Sequence, residues 1–415
     1  LLLAGFCCVP ATAQQIFTWQ QVKDKFEAAN PTLQALRIGI DESKANEVTA
    51  YLRPNPDFSV GIDQLNFFST QPSPSGNGSS YNPFAYAFPS ASLSYLHERG
   101  HKRELRLESA KKGTAIAESQ QSDMERTLLF NLRTAFVQIL QAKAILQNAV
   151  ENLAYWDKEL AIDKARLDAG DIAKIDQQRL MLQRAQFESD YENALVNLRT
   201  AKIQLLTLLD DRTPIERFDV TGNYDFTDRI PGQDQLRTIA LDHRPDLKAA
   251  IQSVDKAITD HKLAVANGST DPTFEVDGAR NPPIPVYLGF SVDIPLRIFD
   301  RNQGEKARTE LDIRKNERQR AAAEAQVYSD VDSAYATVIG TINLLKTYKS
   351  TYLDLAASVR DTVAFAYNRG GATLLDYLDA EKNYRDVRLA YLQLVGSFLT
   401  AGSQLNMAVG QEVIQ

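Results

Sequence analysis

The sequence predicts a mainly α-helical chain built from two long coiled-coil helical hairpins, each half also carrying a β-hairpin, four strands in all. Three observations predict it. Phe187, Tyr191, Ala194, Leu198, Ala201, Leu205 and Leu208 step at alternating four- and three-residue intervals, and 200 residues later Val387, Tyr391, Leu394, Phe398, Ala401, Leu405 and Ala408 repeat the steps. A mean period of 3.5 is the apolar seam of helices packed side by side. Ahead of each seam stands a glycine turn, Gly170 or Gly370-Gly371, followed by an aspartate at the same offset, Asp176 or Asp376. Finally, short stretches with strict two-residue alternation sit between the first and second helices of each half.

Composition narrows the function classes. The 415 residues carry a net charge of −7 and no strongly basic block, which argues against nucleic acid as a partner. Leu1 to Val9 is an apolar run ending in Pro10-Ala11-Thr12-Ala13, read as the end of a secretory signal (residues 1–13) cleaved after Ala13, its charged start lying upstream of Leu1. Both cysteines, Cys7 and Cys8, fall inside it, so the mature chain is expected to have no disulfide framework. Phe6 before Cys7 is not the small residue that a lipid-anchor signal places there. No later run approaches the roughly 18 apolar residues of a membrane-spanning helix. The chain is expected to be exported and, if it crosses a membrane, to do so without helices.

The elements follow in order. The first repeat is assigned to residues 14–212, a connector to 213–233 and the second repeat to 234–415. A helix is predicted from Trp19 to Leu52, broken at Asn30-Pro31, because proline disfavours helical backbone in the residue before it. A long helix should start after Gly100 and end at Gly170, with an interruption near Asn148 to Asn152. Its 68 residues from Lys102 to Ala169 would extend about 100 Å as one rod. The next helix runs from Ala173 to Leu209. Pro214, Gly222, Pro231 and Gly232 mark the connector. The order then recurs: helix from Asp234 to Ala266, a long helical stretch from Gln303 to Arg369, and a last helix from Thr373 to about Val409. Asn30-Pro31-Thr32-Leu33 answers Arg244-Pro245-Asp246-Leu247, and Ala135-Phe136 answers Ala334-Tyr335.

The strands have one apolar and one polar face. Val286, Leu288, Phe290, Val292 and Ile294 alternate with polar or small residues, Phe274 and Val276 alternate with Glu275 and Asp277, and Phe58, Val60 and Ile62 alternate with Ser59, Gly61 and Asp63. Phe84, Tyr86 and Phe88 mark a fourth, less regular strand. The β-hairpins are placed at 57–96 and 273–296, with Ser69 to Asn82 a loop and Asn281-Pro282-Pro283 a tight turn. Four strands cannot close a barrel of useful bore, and an open sheet in lipid would leave edge N–H and C=O groups unpaired at several kcal/mol each. Strands of this length suit an outer-membrane wall, provided other copies of the chain supply the remaining staves. On pattern alone, two small hairpins packed on a soluble helical body remain the alternative.

The layout resembles that of the TolC-like outer-membrane efflux proteins, and the resemblance spans essentially the whole mature chain. It is carried by Ala240-Leu241 with Arg244-Pro245-Asp246-Leu247, by Pro295-Leu296 through Phe299-Asp300-Arg301-Asn302-Gln303-Gly304, and most specifically by Tyr367 through Gly370 with Leu375-Asp376 and Leu378-Asp379-Ala380. It implies a homotrimer whose four strands per subunit form a twelve-stranded membrane β-barrel in outer-membrane lipid, continued by a helical tunnel in the periplasm. It also implies a periplasmic adaptor protein as partner and an inner-membrane transporter as the source of power. The Phe299 to Gly304 segment is similar to that of members serving resistance-nodulation-division pumps, including pumps for metal ions. The function implied is a passive exit duct of a tripartite efflux system, not an enzyme. The alternative is a secreted coiled-coil interaction protein without channel activity.

Under that resemblance the glycine turns Gly170-Asp171 and Gly370-Gly371 are adaptor-docking tips. On the residues alone they are helix ends, since glycine accepts positive φ at low cost. Asp376 and Asp379 lie three apart and so share one side of a helix. Matching aspartates in the family ring the periplasmic gate. A trimer would gather six carboxylates, favouring cations and raising some of their pKa values by mutual repulsion. The other reading of Asp376 is structural: Thr373-Leu374-Leu375-Asp376 fits a capping box. Tyr367 matches a tyrosine that holds the tips closed, and Asp176 an aspartate on the facing tip. The arginine that the family's best-known members place five residues after that tyrosine is Ala372 here, which predicts a gate relying on packing and carboxylate repulsion. His97-Glu98-Arg99-Gly100-His101 formally matches the zinc-peptidase pattern, which needs a helix. After a strand and with a glycine inside, it reads as a strand-to-helix junction. No metal site and no cofactor is expected. Phe84, Tyr86, Tyr95 and Tyr287 are candidates for an interfacial aromatic girdle, or are simply packed.

Overall fold

A computed structural model describes residues 15–65, 67–68, 70–72, 79–81, 83–84, 87–281 and 284–414. The signal segment with Cys7 and Cys8, Tyr86, most of the Ser69 to Asn82 loop, and Pro282-Pro283 of the predicted turn lie outside the described residues.

In chain order the elements are β1 (Gln15–Phe17), α1 (Trp19–Ala29), α2 (Pro31–Tyr51), β2 (Asp57–Asp63), β3 (Gln71–Pro72), β4 (Ser79–Ser80), β5 (Phe88–Leu96), α3 (Lys102–Ala169), α4 (Lys174–Leu208), β6 (Phe218–Val220), α5 (Gln233–His243), α6 (Pro245–Asn267), β7 (Thr273–Asn281), β8 (Ile284–Asp293), α7 (Gln303–Thr347), a π-helical turn (Tyr348–Tyr352), α8 (Leu353–Asn368) and α9 (Leu374–Val409). Two compact units form. One takes the residues up to Ile38 with Gln120–Leu247 and Ala323–Gln415; the other takes Gly39–Ser119 and Lys248–Ala322. Each unit draws on both halves of the sequence.

Three expectations need correcting here. Helix α3 runs its 68 residues without the interruption expected near Asn148. No proline or glycine lies between Thr114 and Ala169 to force one. The helix expected from Asp234 to Ala266 is instead divided at Arg244-Pro245 into α5 and α6, while the stretch from Gln303 stays helical to Asn368 through the π-turn, where Tyr348 and Tyr352 meet edge to face at 5.3 Å. The fourth strand starts at Phe88 rather than near Phe84, which sits in a turn. Its alternation is carried by Pro89, Ala91, Leu93 and Tyr95 between serines, a weaker signal than the aromatics upstream. A short parallel pair, β1 with β6, went unpredicted because three-residue strands have no readable period.

In the first unit each half has its own core. Val22, Phe26, Leu33, Leu132, Phe136, Ile139 and Leu205 pack with Phe218 and Val220 in one. Leu236, Ala240, Val331, Ala334, Val338, Phe398 and Leu405 form the other. The two helix breaks explain how these cores close. Asn30 and Arg244 both precede a proline, and both are extended, at φ −65°, ψ 120° and φ −72°, ψ 120°. Both side chains are buried and both reach the last turn of the final helix of their own half. Asn30 Nδ2 donates to the Leu208 carbonyl at 3.0 Å and Arg244 Nη1 to the Ala408 carbonyl at 3.3 Å. The duplication is thus kept as a hydrogen bond to carbonyls 200 residues apart. Those carbonyls have no partner within their helix and need one.

In the second unit four strands form one antiparallel sheet in the order β2-β5-β7-β8. The register aligns Phe58, Leu93, Val276 and Phe290 in one row, Tyr95, Phe274 and Val292 in the next, and Val60, Ala91, Gly278 and Leu288 in a third. These rows make one continuous apolar face. It is open: Phe58 is 70% exposed, Val286 71% and Phe290 76%. Ser59, Ser92, Asp277 and Gly289 align on the opposite face. Tyr95 lies on the apolar face, whereas Tyr287 pairs with Ala279 on the polar face and stands 6.3 Å from Phe88. Strands β2 and β8 are the edges of this sheet, each unpaired on its outer side among the described residues. Among the described residues no helix is long and apolar enough to cross a membrane.

Candidate functional site

The two glycine turns close the helical hairpins in the same way. Gly170 has φ +84°, with the Gly170 N–H donating to the Leu167 carbonyl at 3.0 Å and the Asp171 N–H to the Arg166 carbonyl at 2.8 Å. Gly370 has φ +75°, with its N–H on the Tyr367 carbonyl at 3.1 Å and the Gly371 N–H on the Ala366 carbonyl at 2.8 Å. These bonds satisfy the last carbonyls of α3 and α8, and they need a left-handed residue that only glycine adopts cheaply.

The helices that follow differ. Helix α4 starts at Ala173, which offers no side-chain cap, whereas α9 starts at Thr373 in a full capping box. The Thr373 N–H donates to Asp376 Oδ2 at 3.0 Å, the Thr373 hydroxyl donates to the same oxygen at 2.6 Å, and the Asp376 N–H donates to Thr373 Oγ1 at 3.2 Å. Bonds from the Thr373 hydroxyl and N–H hold the Asp376 carboxyl below the usual carboxylate range. Within one chain the cap therefore acts opposite to ring repulsion, keeping Asp376 charged. Asp379 is exposed and accepts from Asn383 Nδ2 at 3.1 Å. In the first copy Arg179 takes the place of Asp379 and sits 3.6 Å from Asp176. The first tip is therefore charge-compensated. The second carries Asp376 and Asp379 with no ion pair to either among the described residues.

Tyr367 is turned inward. Its ring stacks on Tyr377 at 4.9 Å and 3°, and the Arg166 guanidinium lies over it at 5.1 Å. Tyr377 in turn stands 6.0 Å from Trp156, which stacks on Phe187 at 5.2 Å, and the Tyr377 and Tyr155 hydroxyls are 3.1 Å apart. Leu180 and Leu374 complete this buried cluster, with Ala372 at its rim. Where the resemblance would place an arginine five residues after the tyrosine, this chain brings Arg166 from α3. Arg166 is anchored by Asp163 at 3.3 Å.

Sequence reading missed most of this cluster. The readable signal was the spacing Tyr155, Glu159, Asp163 on α3 and Tyr377, Glu381 on α9, which puts acids on the same side as aromatic core residues. Burial pushes Glu159, Asp163 and Glu381 up, the last to about 7.

The His97 to His101 segment is not a metal site. His97 follows the end of β5, Gly100 and His101 have φ of +70° and +58°, and Glu98 is held by Arg106, so the two histidines never share a helix face. No cluster of three or more metal-binding side chains occurs among the described residues.

Comparison with known proteins agrees with this arrangement. Residues 276–411 match the family model of outer membrane efflux proteins. Over 399 residues the chain is 22% identical to the cobalt-zinc-cadmium resistance protein CzcC of Cupriavidus metallidurans, covering 92% of this chain and 87% of CzcC. The fold matches that of CusC with a TM-score of 0.78 at 17% identity, over 99% of this chain and 95% of CusC. It matches the outer membrane protein VceC of Vibrio cholerae with a TM-score of 0.73 at 14% identity, over 95% and 97% of the two chains. For the open-state MtrE outer membrane channel of Neisseria gonorrhoeae the values are 0.74 and 16%, over 95% and 89%. The pattern of outer membrane efflux proteins thus lies in the second half of the chain, and the fold of these channels extends over nearly its whole length.

Proposed function

We propose that this protein is the passive exit duct of a tripartite efflux system, docking to a periplasmic adaptor and, through it, to an inner-membrane transporter of the resistance-nodulation-division type. The observation that carries the reading is the sheet: an exposed apolar face on strands of seven to ten residues, with both edges unpaired among the described residues. Because all neighbours are antiparallel, β8 of one copy meets β2 of the next in antiparallel sense, and closure by copies is geometrically allowed. Two copies would make eight strands, whose interior fills with side chains; three make twelve, which leaves a lumen. A homotrimer is thus the smallest assembly that conducts, and closure removes every edge from lipid. The repeats 14–212 and 234–415 serve as two staves of the tunnel wall, joined by the connector 213–233.

Asp376 and Asp379 are assigned to the periplasmic gate with Tyr367 and Asp176. Gly170, Asp171, Gly370 and Gly371 are assigned to the adaptor-docking tips. The uncompensated Asp376 and Asp379 support a cation-favouring entrance, and the likeness to CzcC supports metal cations as cargo. The test is planar-bilayer conductance of the purified trimer from outer-membrane fractions, with and without Asp376→Asn plus Asp379→Asn. Cation-selective conductance weakened by the double substitution supports the reading. A soluble monomer removes the duct, and unchanged selectivity removes the aspartate assignment.

A further inference from the structure

The cluster beside the second tip contains more ionisable groups than a structural core needs. Glu381 on α9 is only 5% exposed and Asp163 on α3 only 1%. Among the described residues, each leaves one buried oxygen with no hydrogen-bond partner, Oε1 and Oδ2. Facing them from α3 are Tyr155, Glu159 and Arg166; from α8, Arg360, Asp361 and Tyr367; from α9, Tyr377; and from α4, Asp176. The cations are already engaged. Arg166 is on Asp163 and the Tyr367 ring, while Arg360 is on Asp361 at 2.7 Å and stacks over Tyr384 at 4.0 Å. An ionised carboxylate with an unpaired buried oxygen is costly, and a protonated one costs far less.

We propose that Glu381 and Asp163 form a proton-operated latch: with these carboxyls protonated, the start of α9 packs against α3 and α8, and with them ionised the packing loosens and the tip is released to open. This rests on the reading of the tips as the gate of a duct.

The sign follows from linkage. Burial raises Glu381 from its ordinary 4.5 to about 7, with Glu159 and Asp361 adding to it and Tyr155 and Arg360 opposing. The packed state therefore binds the proton more tightly than the loosened one. It is favoured below the ordinary carboxylate range and loses that advantage as pH rises through about 7. A shift of that size changes the ratio of packed to loosened tips roughly 300-fold through Glu381 alone.

Trp156 reports on the packing, since it is buried between Phe187 and Tyr377. The only other tryptophan is Trp19, so Trp19→Phe leaves a single probe. In the full-length trimer carrying Trp19→Phe, Trp156 emission should shift to the red as pH rises from the ordinary 4.5 through about 7. Periplasmic-side conductance should rise over the same interval. Adding Glu381→Gln should hold the emission at its acid position and the conductance low at every pH, and Asp163→Asn should narrow the response. Trp156 emission that is flat across the range, or that titrates unchanged in Glu381→Gln, overturns the latch. Emission that titrates as expected while no variant conducts at any pH supports the latch and removes the duct instead.

Discussion

Tyr377 is the keystone of the second tip, and Tyr377→Ala should free it. The ring is 1% exposed, stacked on Tyr367 and against Trp156, and its hydroxyl meets that of Tyr155. Truncating a buried aromatic ring to alanine costs about 3–5 kcal/mol, part of it the cavity left behind. The parallel stack on Tyr367 is worth about 1 kcal/mol of specific ring–ring attraction. Taking about 4 kcal/mol per subunit, at about 1.4 kcal/mol per tenfold, the loosened tip gains roughly 1,000-fold in weight. Tyr377→Phe keeps the ring and loses the hydroxyl pair, about 1 kcal/mol or roughly fivefold. The assay is trypsin cleavage after Arg369 in the turn, whose rate follows the population of the opened form when reclosing is fast. Cleavage in the intact trimer should accelerate at least about 100-fold in Tyr377→Ala and less than about tenfold in Tyr377→Phe, as scaled from those energies. Equal rates in wild type and Tyr377→Ala would show that the aromatic stack does not hold the tip, and would refute the argument.

The remaining predictions concern the duplicated breaks and the turns. Arg244→Met should destabilise the second-half core by about 3–5 kcal/mol, because it strands Asp246 and Asp330, now bonded at 2.6 and 2.7 Å. Asn30→Ala, which removes only neutral hydrogen bonds, should cost about 1–3 kcal/mol. Chemical-denaturation midpoints would check both, and a larger loss for Asn30→Ala would contradict the argument. Burial acts to raise Asp246, but its bonds to Arg244 outweigh this and leave its carboxyl below the ordinary 3.8. Its contribution should therefore be complete at neutral pH and fall away as pH drops through that depressed value, a dependence that Asp246→Asn abolishes. Gly370→Ala should cost about 1 kcal/mol because φ is +75° while the surrounding space is open. Gly371→Ala, at an ordinary φ, should leave the thermal midpoint within about 1 °C, as surface changes usually do; the opposite ranking would mean that the turn is misassigned.

The sequence reading did best where one-dimensional period and burial coincide. The two seams, Phe187 to Leu208 and Val387 to Ala408, are buried or half-buried at every step. The break at Asn30-Pro31 lies where the residue before proline forces it, whereas the equivalent break at Arg244-Pro245 falls inside the single helix expected from Asp234 to Ala266. The reading did worst where a strong local signal competes with a weaker true one, as when Phe84, Tyr86 and Phe88 outweighed the serine-spaced Ala91, Leu93 and Tyr95. The π-turn at Tyr348 has no sequence marker comparable to proline, and the β1–β6 pair joins residues about 200 apart through three-residue strands.

By itself, the sequence determined the repeated helical hairpins, the glycine turns, the amphipathic strands and the asymmetry of Arg179 against Asp379. Each of these is a property of neighbours along the chain, where side-chain period and backbone φ/ψ preference decide. Only the tertiary structure decided which strands form the edges of the sheet and that apolar rows align across four strands. It also decided that Arg166 from α3 covers Tyr367, and that Glu381 and Asp163 are buried with oxygens unpaired. Those facts depend on packing between segments distant in sequence, because desolvation and pairing are set by what surrounds a group in space. The tip is where the two levels meet: the spacing places Tyr377 and Glu381 on one face of α9, and packing against α3 and α8 turns that face into a candidate latch.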